Sequence, residues 1–275
     1  MTTAAVGDRP RTRLSPRKRA QRLRLVQYAV LGLVVLAVVL TADGRMLQQV
    51  FLRPDLVVAT LTGGLGTALF NTIAYTAGAF FVGLTIGTAL ALMRLSKVAP
   101  YRWLSTVYVE FFRGVPALIV LIAFGGLGIA FPGLRIPFEP YGTVWLALGM
   151  VSAAYMSETI RAGIEAVPRG QVEAARSLGM PAGMATQRVV LPQAFRIVIP
   201  PLTNELILLT KDSSLVFAIG LTAGAFELTK FGRDLMNSTA NLTPLVVAGF
   251  SYLIITLPLT FLVRQMEARA KKGAR

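Results

Sequence analysis

The chain has 275 residues, of which 54% are hydrophobic and only 15% are charged, and its mean hydropathy is +0.62. An average soluble domain carries about 25% charged residues, so this composition is too apolar for a surface in water. The sequence contains no cysteine and no histidine, which excludes disulfides, thiol nucleophiles, imidazole bases and the usual zinc sites.

Six apolar segments approach or exceed the roughly 20 residues that a helix needs to cross a bilayer core of about 30 Å. They are residues 25–42, 66–93, 107–131, 141–156, 197–220 and 244–263. Outer-membrane barrels alternate apolar and polar residues at every second position, and these segments do not. The sequence therefore predicts an all-α membrane protein with six transmembrane helices.

The first segment follows a basic tail, residues 1–24, and together they have the features of a secretory signal. The apolar part, however, is longer than the usual 7–15 residues, and Leu40-Thr41-Ala42 is a poor cleavage site. We therefore expect a retained helix, with residues 25–57 forming an accessory transmembrane helix and its outer loop. The topology of the later spans is the same under either interpretation.

The distribution of cations predicts the orientation of the chain. With the N-terminus in the cytoplasm, the inner segments hold 21 of the 28 Lys and Arg residues and the outer segments hold 5. This bias accounts for most of the formal net charge of +15, which in a soluble protein would indicate nucleic-acid binding. We expect a multi-pass protein of the bacterial cytoplasmic membrane with both termini, including the basic tail 264–275, in the cytoplasm.

Small and charged residues within the middle spans have structural explanations. Gly83 and Gly87 have the small-xxx-small spacing of closely packed helices. Glu110 with Arg113, and Glu158 with Arg161, have the i,i+3 spacing of paired side chains on one helix face. We expect both pairs to form ion pairs near the cytoplasmic ends of their spans.

The inner loop between the fourth and fifth spans, residues 161–192, carries the most informative motif. It runs Glu173-Ala174-Ala175-Arg176-Ser177-Leu178-Gly179, then nine residues, then Val189-Val190-Leu191-Pro192. Pro168 favours a helix start and Gly179 a helix end, because glycine adopts the left-handed conformation at little cost. Pro181 prevents continuation of that helix, and residues 185–190 favour a second short helical turn. The loop is therefore predicted to be a compact helix–turn–helix.

This motif resembles the EAA loop of binding-protein-dependent ABC importers, in which Glu-Ala-Ala, three residues, Gly and nine residues precede Ile-x-Leu-Pro. The spacing matches throughout, and the departure is Val189 in place of Ile. The resemblance implies that the loop docks on a cytoplasmic ABC ATPase. By that resemblance, the residues that couple the two proteins are Glu173, Ala174, Ala175, Gly179, Leu191 and Pro192.

The resemblance extends over residues 62–263, which we expect to form the permease domain. Residues 108–116, 157–161 and 209–215 resemble segments of polar amino-acid permeases, with the glutamate, aspartate and glutamine group as the best match. Implied partners are an ATPase dimer that binds ATP and Mg²⁺, an extracytoplasmic solute-binding protein, a second permease subunit and membrane lipid. Neither nucleic acid nor a cofactor bound by this chain is expected.

The fifth span contains Glu205, Lys211 and Asp212, and charges within a membrane require an explanation. Adjacent helical residues point about 100° apart, so Lys211 and Asp212 cannot simply pair with each other. We expect one or both to line the substrate pathway with Glu205 and Ser213, beside a helix break at Pro200-Pro201. Pairing with Glu205 or with a partner subunit is the open alternative.

Two other function classes fit less well. A secondary transporter driven by an ion gradient would use Glu205, Lys211 and Asp212 as relay groups but leaves the loop motif unexplained. A membrane-embedded enzyme, for example a lipid transferase, would need a cluster of Asp or His at metal-binding spacing, and the sequence contains none. The chain also lacks a Walker A motif, so any ATP hydrolysis is expected in a separate subunit.

Overall fold

The computed structural model describes residues 16–220 and 224–273. Residues 1–15, which make up most of the predicted basic tail, lie outside the described part of the chain, as do residues 221–223 and 274–275. Within the described ranges all regular elements are helical and none is a strand. This confirms the all-α prediction.

The chain divides into two units, residues 1–49 and 50–275. The first unit contains α1 (Pro16–Thr41) and most of α2 (Gly44–Phe51). Within α1, the segment Ala20–Thr41 has a mean hydropathy of 2.3 and is long enough to cross a bilayer. Asp43 is the residue immediately before α2, and its carboxylate caps that helix by accepting hydrogen bonds from the backbone N–H groups of Arg45 and Met46.

The second unit contains the remaining helices. In chain order they are α3 (Pro54–Thr62), α4 (Leu65–Leu95), α5 (Ala99–Gly114), α6 (Ala117–Gly125), α7 (Leu127–Ala130), α8 (Tyr141–Glu165), α9 (Arg169–Ser177), α10 (Ala182–Ala185), a π-helical turn (Thr186–Val190), α11 (Leu191–Asp212), a 3₁₀ segment (Ser213–Ile219), α12 (Leu228–Thr239) and α13 (Thr243–Gly273).

Among the described residues, three helices are long and apolar enough to cross a membrane by themselves. They are Ala20–Thr41, Leu65–Leu95 and Thr243–Arg269, which correspond to the first, second and sixth predicted spans. The fourth predicted span, residues 141–156, is the first part of the longer helix α8. The total of six transmembrane helices stays a prediction.

The third predicted span, residues 107–131, is not one straight helix, and the prediction of a continuous span was wrong. α5 and α6 meet at an angle of 98°, as a broken span or a re-entrant segment. Val115 between them has extended backbone, with φ −96° and ψ 131°. The reason is Pro116, because a proline ring disfavours the helical conformation of the residue before it.

The fifth predicted span also differs from expectation. α11 passes through Pro200 and Pro201 without a break, so the predicted interruption at this pair was wrong. Because the two prolines are adjacent, their missing N–H groups are confined to one turn, and membrane helices tolerate such a local gap in their backbone hydrogen bonds. The helix ends instead at Asp212, where the 3₁₀ segment begins.

Helices α4 and α8 pack closely through small residues. A Cβ atom on Gly83 would clash with the Ser152 side chain, and one on Gly87 would lie 2.9 Å from the carbonyl oxygen of Ala153. The predicted role of these two glycines in close helix packing is confirmed. Tyr75 of α4 and Leu148 of α8 are buried in the core that α6 and α11 complete.

Candidate functional site

A cavity of about 510 Å³ opens where the break between α5 and α6 faces α8 and α11. Its volume is in the range that holds a small ligand. The wall is apolar at Leu148, Val151, Leu208 and Leu209. Its polar groups are Arg113, Ser152, Tyr155, Glu205 and Asp212.

Arg113 supplies the cation of this cavity. It lies in the last turn of α5, where the helix dipole favours positive charge. Its guanidinium carbon lies 5.8 Å from the centre of the Tyr155 ring, in the range of a cation–π contact. The predicted ion pair between Arg113 and Glu110 was wrong, because neither side chain has a salt-bridge partner among the described residues.

Glu205 and Asp212 supply two carboxylates from one face of α11. They are seven residues apart, which is two helical turns, or about 10 Å along the axis. Across residues 16–220 and 224–273, neither carboxylate has a salt-bridge partner. The cavity thus presents a guanidinium and two carboxylates, an arrangement suited to a ligand that carries charges of both signs.

The other two residues that the sequence placed on the pathway lie elsewhere. The side chain of Lys211 is exposed and does not line the cavity. Ser213 is buried, and its hydroxyl donates a 2.7 Å hydrogen bond to the carbonyl oxygen of Thr210. The structure therefore brings together Glu205 and Asp212 but not Lys211 and Ser213.

Arg113, Ser152 and Tyr155 were not predicted from the sequence to line a cavity. For Arg113 the sequence did contain a signal, namely Gly114 and Pro116 just after it. These residues predict a helix end, and no further helical turn then covers the Arg113 side chain. Ser152 and Tyr155 carried no such signal, since their exposure to the cavity depends on how α8 packs.

A group of ion pairs lies between the cavity and the end of α8. Glu158 pairs with Arg94 of α4 through one carboxylate oxygen and with Arg161, at 2.7 Å, through the other. Arg161 also pairs with Glu165 at 2.6 Å. The predicted pairing of Glu158 with Arg161 is confirmed, and it extends to a second helix through Arg94.

The loop after α8 forms the compact helical structure that its motif predicts. α9 ends at a left-handed glycine, Gly179, with φ 83°. The N–H of Gly179 donates to the carbonyl of Arg176 at 2.9 Å, and the N–H of Met180 donates to that of Ala175 at 3.2 Å. These two bonds form a Schellman motif, which favours glycine at the left-handed position.

The second half of the loop returns the chain into α11. After α10 and the π-helical turn, α11 begins at Leu191 with Pro192 in its first turn, where proline is tolerated. Val190 and Ala194 pack on Val167, which follows the end of α8. The loop is therefore held against the base of both α8 and α11.

The predicted coupling residues differ in their exposure. Glu173 and Ala174 are exposed, but Ala175 is buried within the chain. Leu178, which the motif analysis did not single out, has 81% of its surface exposed beside the helix end. The loop thus presents a small surface with one protruding apolar side chain, supported from beneath by Ala175.

Comparisons with known proteins agree with this arrangement. The family described as binding-protein-dependent transport system inner membrane component matches residues 83–272. The chain is similar to the probable glutamine ABC transporter permease protein GlnM of Bacillus subtilis (strain 168), with 38% identity over 209 residues that cover 75% of this chain and 91% of the relative. It is also similar to the arginine transport system permease protein ArtQ of the same organism, with 37% identity over 70% of this chain and 85% of the relative.

A solved structure shows the same relationship. The crystal structure of an amino acid ABC transporter with histidines has a TM-score of 0.69 and 34% identity, covering 78% of this chain and 97% of that chain. The family match covers more than half of the present chain, and each of the two relatives is covered over most of its length. The chain therefore belongs to the family of binding-protein-dependent transport system inner membrane components.

Proposed function

We propose that the chain is the permease subunit of an ATP-driven importer that moves a polar amino acid across the cytoplasmic membrane. The observation that carries this proposal is the cavity in which Arg113 faces Glu205 and Asp212. A zwitterionic amino acid needs a cationic contact for its α-carboxylate and an anionic contact for its α-ammonium group. Arg113 supplies the first contact, and Asp212 or Glu205 the second.

The names of the relatives support an amino acid as the transported substrate but differ in which one, since one names glutamine and the other arginine. That the transported amino acid is glutamate or a close relative of it stays our prediction, and it rests on the sequence motifs. The cavity groups recognise the part of the molecule that all amino acids share. The predicted pathway roles of Lys211 and Ser213 stay predictions.

The energy for transport comes from a partner in this proposal. An ABC ATPase dimer binds the loop at Glu173, Ala174 and Leu178, and closure of the ATPase reaches α11 through Leu191 and Pro192. Ala175 and Gly179 hold the shape of that surface. The burial of Ala175 and the left-handed conformation of Gly179 support these roles.

The remaining parts of the assembly follow from the family. A solute-binding protein delivers the amino acid from outside, and a second permease subunit completes the pathway. Residues 62–263 form the permease domain and residues 25–57 an accessory span, with both termini in the cytoplasm. No nucleic acid or metal is part of this function.

The experiment that tests the proposal is uptake of labelled glutamate, glutamine and arginine by cells that express the complete transporter. Uptake of at least one amino acid is expected to cease when ATP is depleted and to persist when a protonophore collapses the proton gradient. The opposite response would show a secondary transporter. Absence of uptake of any amino acid would contradict the proposed substrate class.

A further inference from the structure

Glu158 of α8 lies among arginines from three helices. It forms ion pairs with Arg94 of α4 and Arg161 of α8. Arg113 of α5 also attracts the Glu158 carboxylate electrostatically but does not form a salt bridge with it. Glu158 is therefore attracted by three cations, two of them through direct ion pairs, and the third, Arg113, lines the cavity.

Arg113 is placed to respond to both the cavity and Glu158. Its guanidinium lies over the ring of Tyr155, which lines the cavity three residues before Glu158. Residues three apart lie on the same face of a helix, so Tyr155 and Glu158 approach Arg113 from one side. An anion that enters the cavity beside Tyr155 competes with Glu158 for this guanidinium.

Glu158 is also connected to the loop. Glu158 lies seven residues before the end of α8, and Val167 just beyond that end packs on Val190 and Ala194 at the base of the loop. Through Arg94 the same carboxylate joins the end of α8 to the end of α4. A change in the charge balance at Glu158 thus acts where these helices meet the loop.

We propose that Glu158 is a positioning residue that senses occupation of the cavity through Arg113 and transmits it to the loop. The inference rests on the proposed function, in which the α-carboxylate of the amino acid binds Arg113. When that carboxylate neutralises Arg113, the guanidinium no longer pulls on Glu158. Glu158 is then held by Arg94 and Arg161 alone, which draws the end of α8 towards α4.

Coupling between two sites is reciprocal, and this determines whether removal of the Glu158 charge strengthens or weakens binding of the amino acid. If a bound amino acid weakens the attraction between Arg113 and Glu158, then Glu158 must weaken binding of the amino acid. Removal of the Glu158 charge therefore tightens binding while it disconnects binding from ATP hydrolysis. A carboxylate with a merely structural role would weaken both when it is removed.

The test uses the permease in nanodiscs, assembled with its ATPase; the solute-binding protein, which itself binds the amino acid, is added only for the ATPase measurement. Equilibrium binding of tritiated glutamate, glutamine and arginine and amino-acid-stimulated ATPase activity are measured for wild type, Glu158→Gln and Glu165→Gln. Glu165→Gln is the matched control, because it removes a carboxylate from Arg161 but leaves the one that attracts Arg113. We expect Glu158→Gln to bind the preferred probe about fivefold more tightly and to lose most of the stimulation, and Glu165→Gln to stay within about twofold of wild type.

Two further variants keep the inference open to refutation. In an Arg113→Gln background, Glu158→Gln should no longer change the affinity, because its effect passes through Arg113. If Glu158→Gln fails to assemble, Glu158→Asp, which retains the charge but retracts it, should bind more tightly than wild type by a smaller factor. Unchanged or weaker binding in the Glu158 variants, or equal behaviour of Glu158→Gln and Glu165→Gln, overturns the inference. Failure of wild type to bind any probe contradicts the proposed function itself.

Discussion

The hydroxyl of Tyr252 donates a 2.9 Å hydrogen bond to the carboxylate of Glu227, whose side chain is fully buried. The same carboxylate accepts hydrogen bonds from the backbone N–H groups of Thr229 and Lys230, and so caps the N-terminus of α12. Burial nevertheless dominates, and it raises the pKa of Glu227 from 4.5 to about 7. This carboxyl group lies outside the predicted membrane spans.

The raised pKa of Glu227 predicts a pH-dependent stability. Between the unfolded pKa of 4.5 and the folded pKa of about 7, the folded chain binds the proton more strongly. The contribution of Glu227 to stability is therefore greatest below the unfolded value and falls as pH rises through the folded one, by about 3 kcal/mol. Wild type should therefore be more stable to thermal unfolding at pH 5 than at pH 8, and Glu227→Gln should lose the share of this pH dependence that comes from Glu227. The exposed Glu110, changed to Gln, should retain the wild-type difference, and a similar retention in Glu227→Gln would refute the assignment.

Gly179→Val should uncouple ATP hydrolysis from transport. A Cβ atom at Gly179 meets nothing within 4 Å, so the cost arises from the left-handed backbone alone, about 1–2 kcal/mol for a residue other than glycine. That strain should open the Schellman motif and displace Leu178 without preventing membrane insertion. Transport and stimulated ATPase activity of the purified complex measure the effect.

Gly170 offers a matched control for this change. It lies in the same loop, its Cβ position is equally open, and its φ is not positive. Gly170→Val should therefore keep most of the coupling. If Gly179→Val transports as well as Gly170→Val, then the conformation of Gly179 has no role in coupling.

Single cysteines test the proposed topology, since the chain has none of its own. Gln171, in α9, is expected in the cytoplasm and Asn237, in α12, outside, because of the bias of cations towards the inner segments. An impermeant thiol reagent added to intact cells should label Gln171→Cys only after lysis, and Asn237→Cys before it. Labelling of Gln171→Cys in intact cells would show that the chain has the opposite orientation.

How much of this molecule the sequence predicts depends on the range of the interactions involved. The loop was predictable because Pro168, Gly179 and Pro181 determine local backbone conformation, and the close packing of Gly83 and Gly87 follows from spacing on one helix. The bend at Pro116 was signalled by the same proline rule, but the length of the apolar run obscured it.

The cavity could be predicted only in part, because its wall is assembled from four separate helices, α5, α6, α8 and α11. Glu205 and Asp212 stood out since charges in a span are costly, but the same argument did not distinguish them from the exposed Lys211. Tyr155 and Arg94 acquire their roles from the packing of α8 against α5 and α4, which no local pattern in the sequence expresses.

The substrate pathway is tested by comparing two adjacent charges on α11. Asp212→Asn keeps the shape of a side chain that lines the cavity and removes its charge, so a contact to the α-ammonium group of the amino acid is lost. A charge-assisted hydrogen bond contributes about 1.5–3 kcal/mol, which corresponds to a fall in transport of about tenfold or more. Lys211→Met removes the neighbouring charge, which is exposed, and its effect on transport should be smaller.

The ATPase should still assemble with both variants, because neither side chain lies on the loop. A structural ion pair would behave differently: either single variant would misassemble, and the double variant with both charges removed would recover. Normal transport by that double variant would show that Lys211 and Asp212 are packing charges and that the amino acid takes another route.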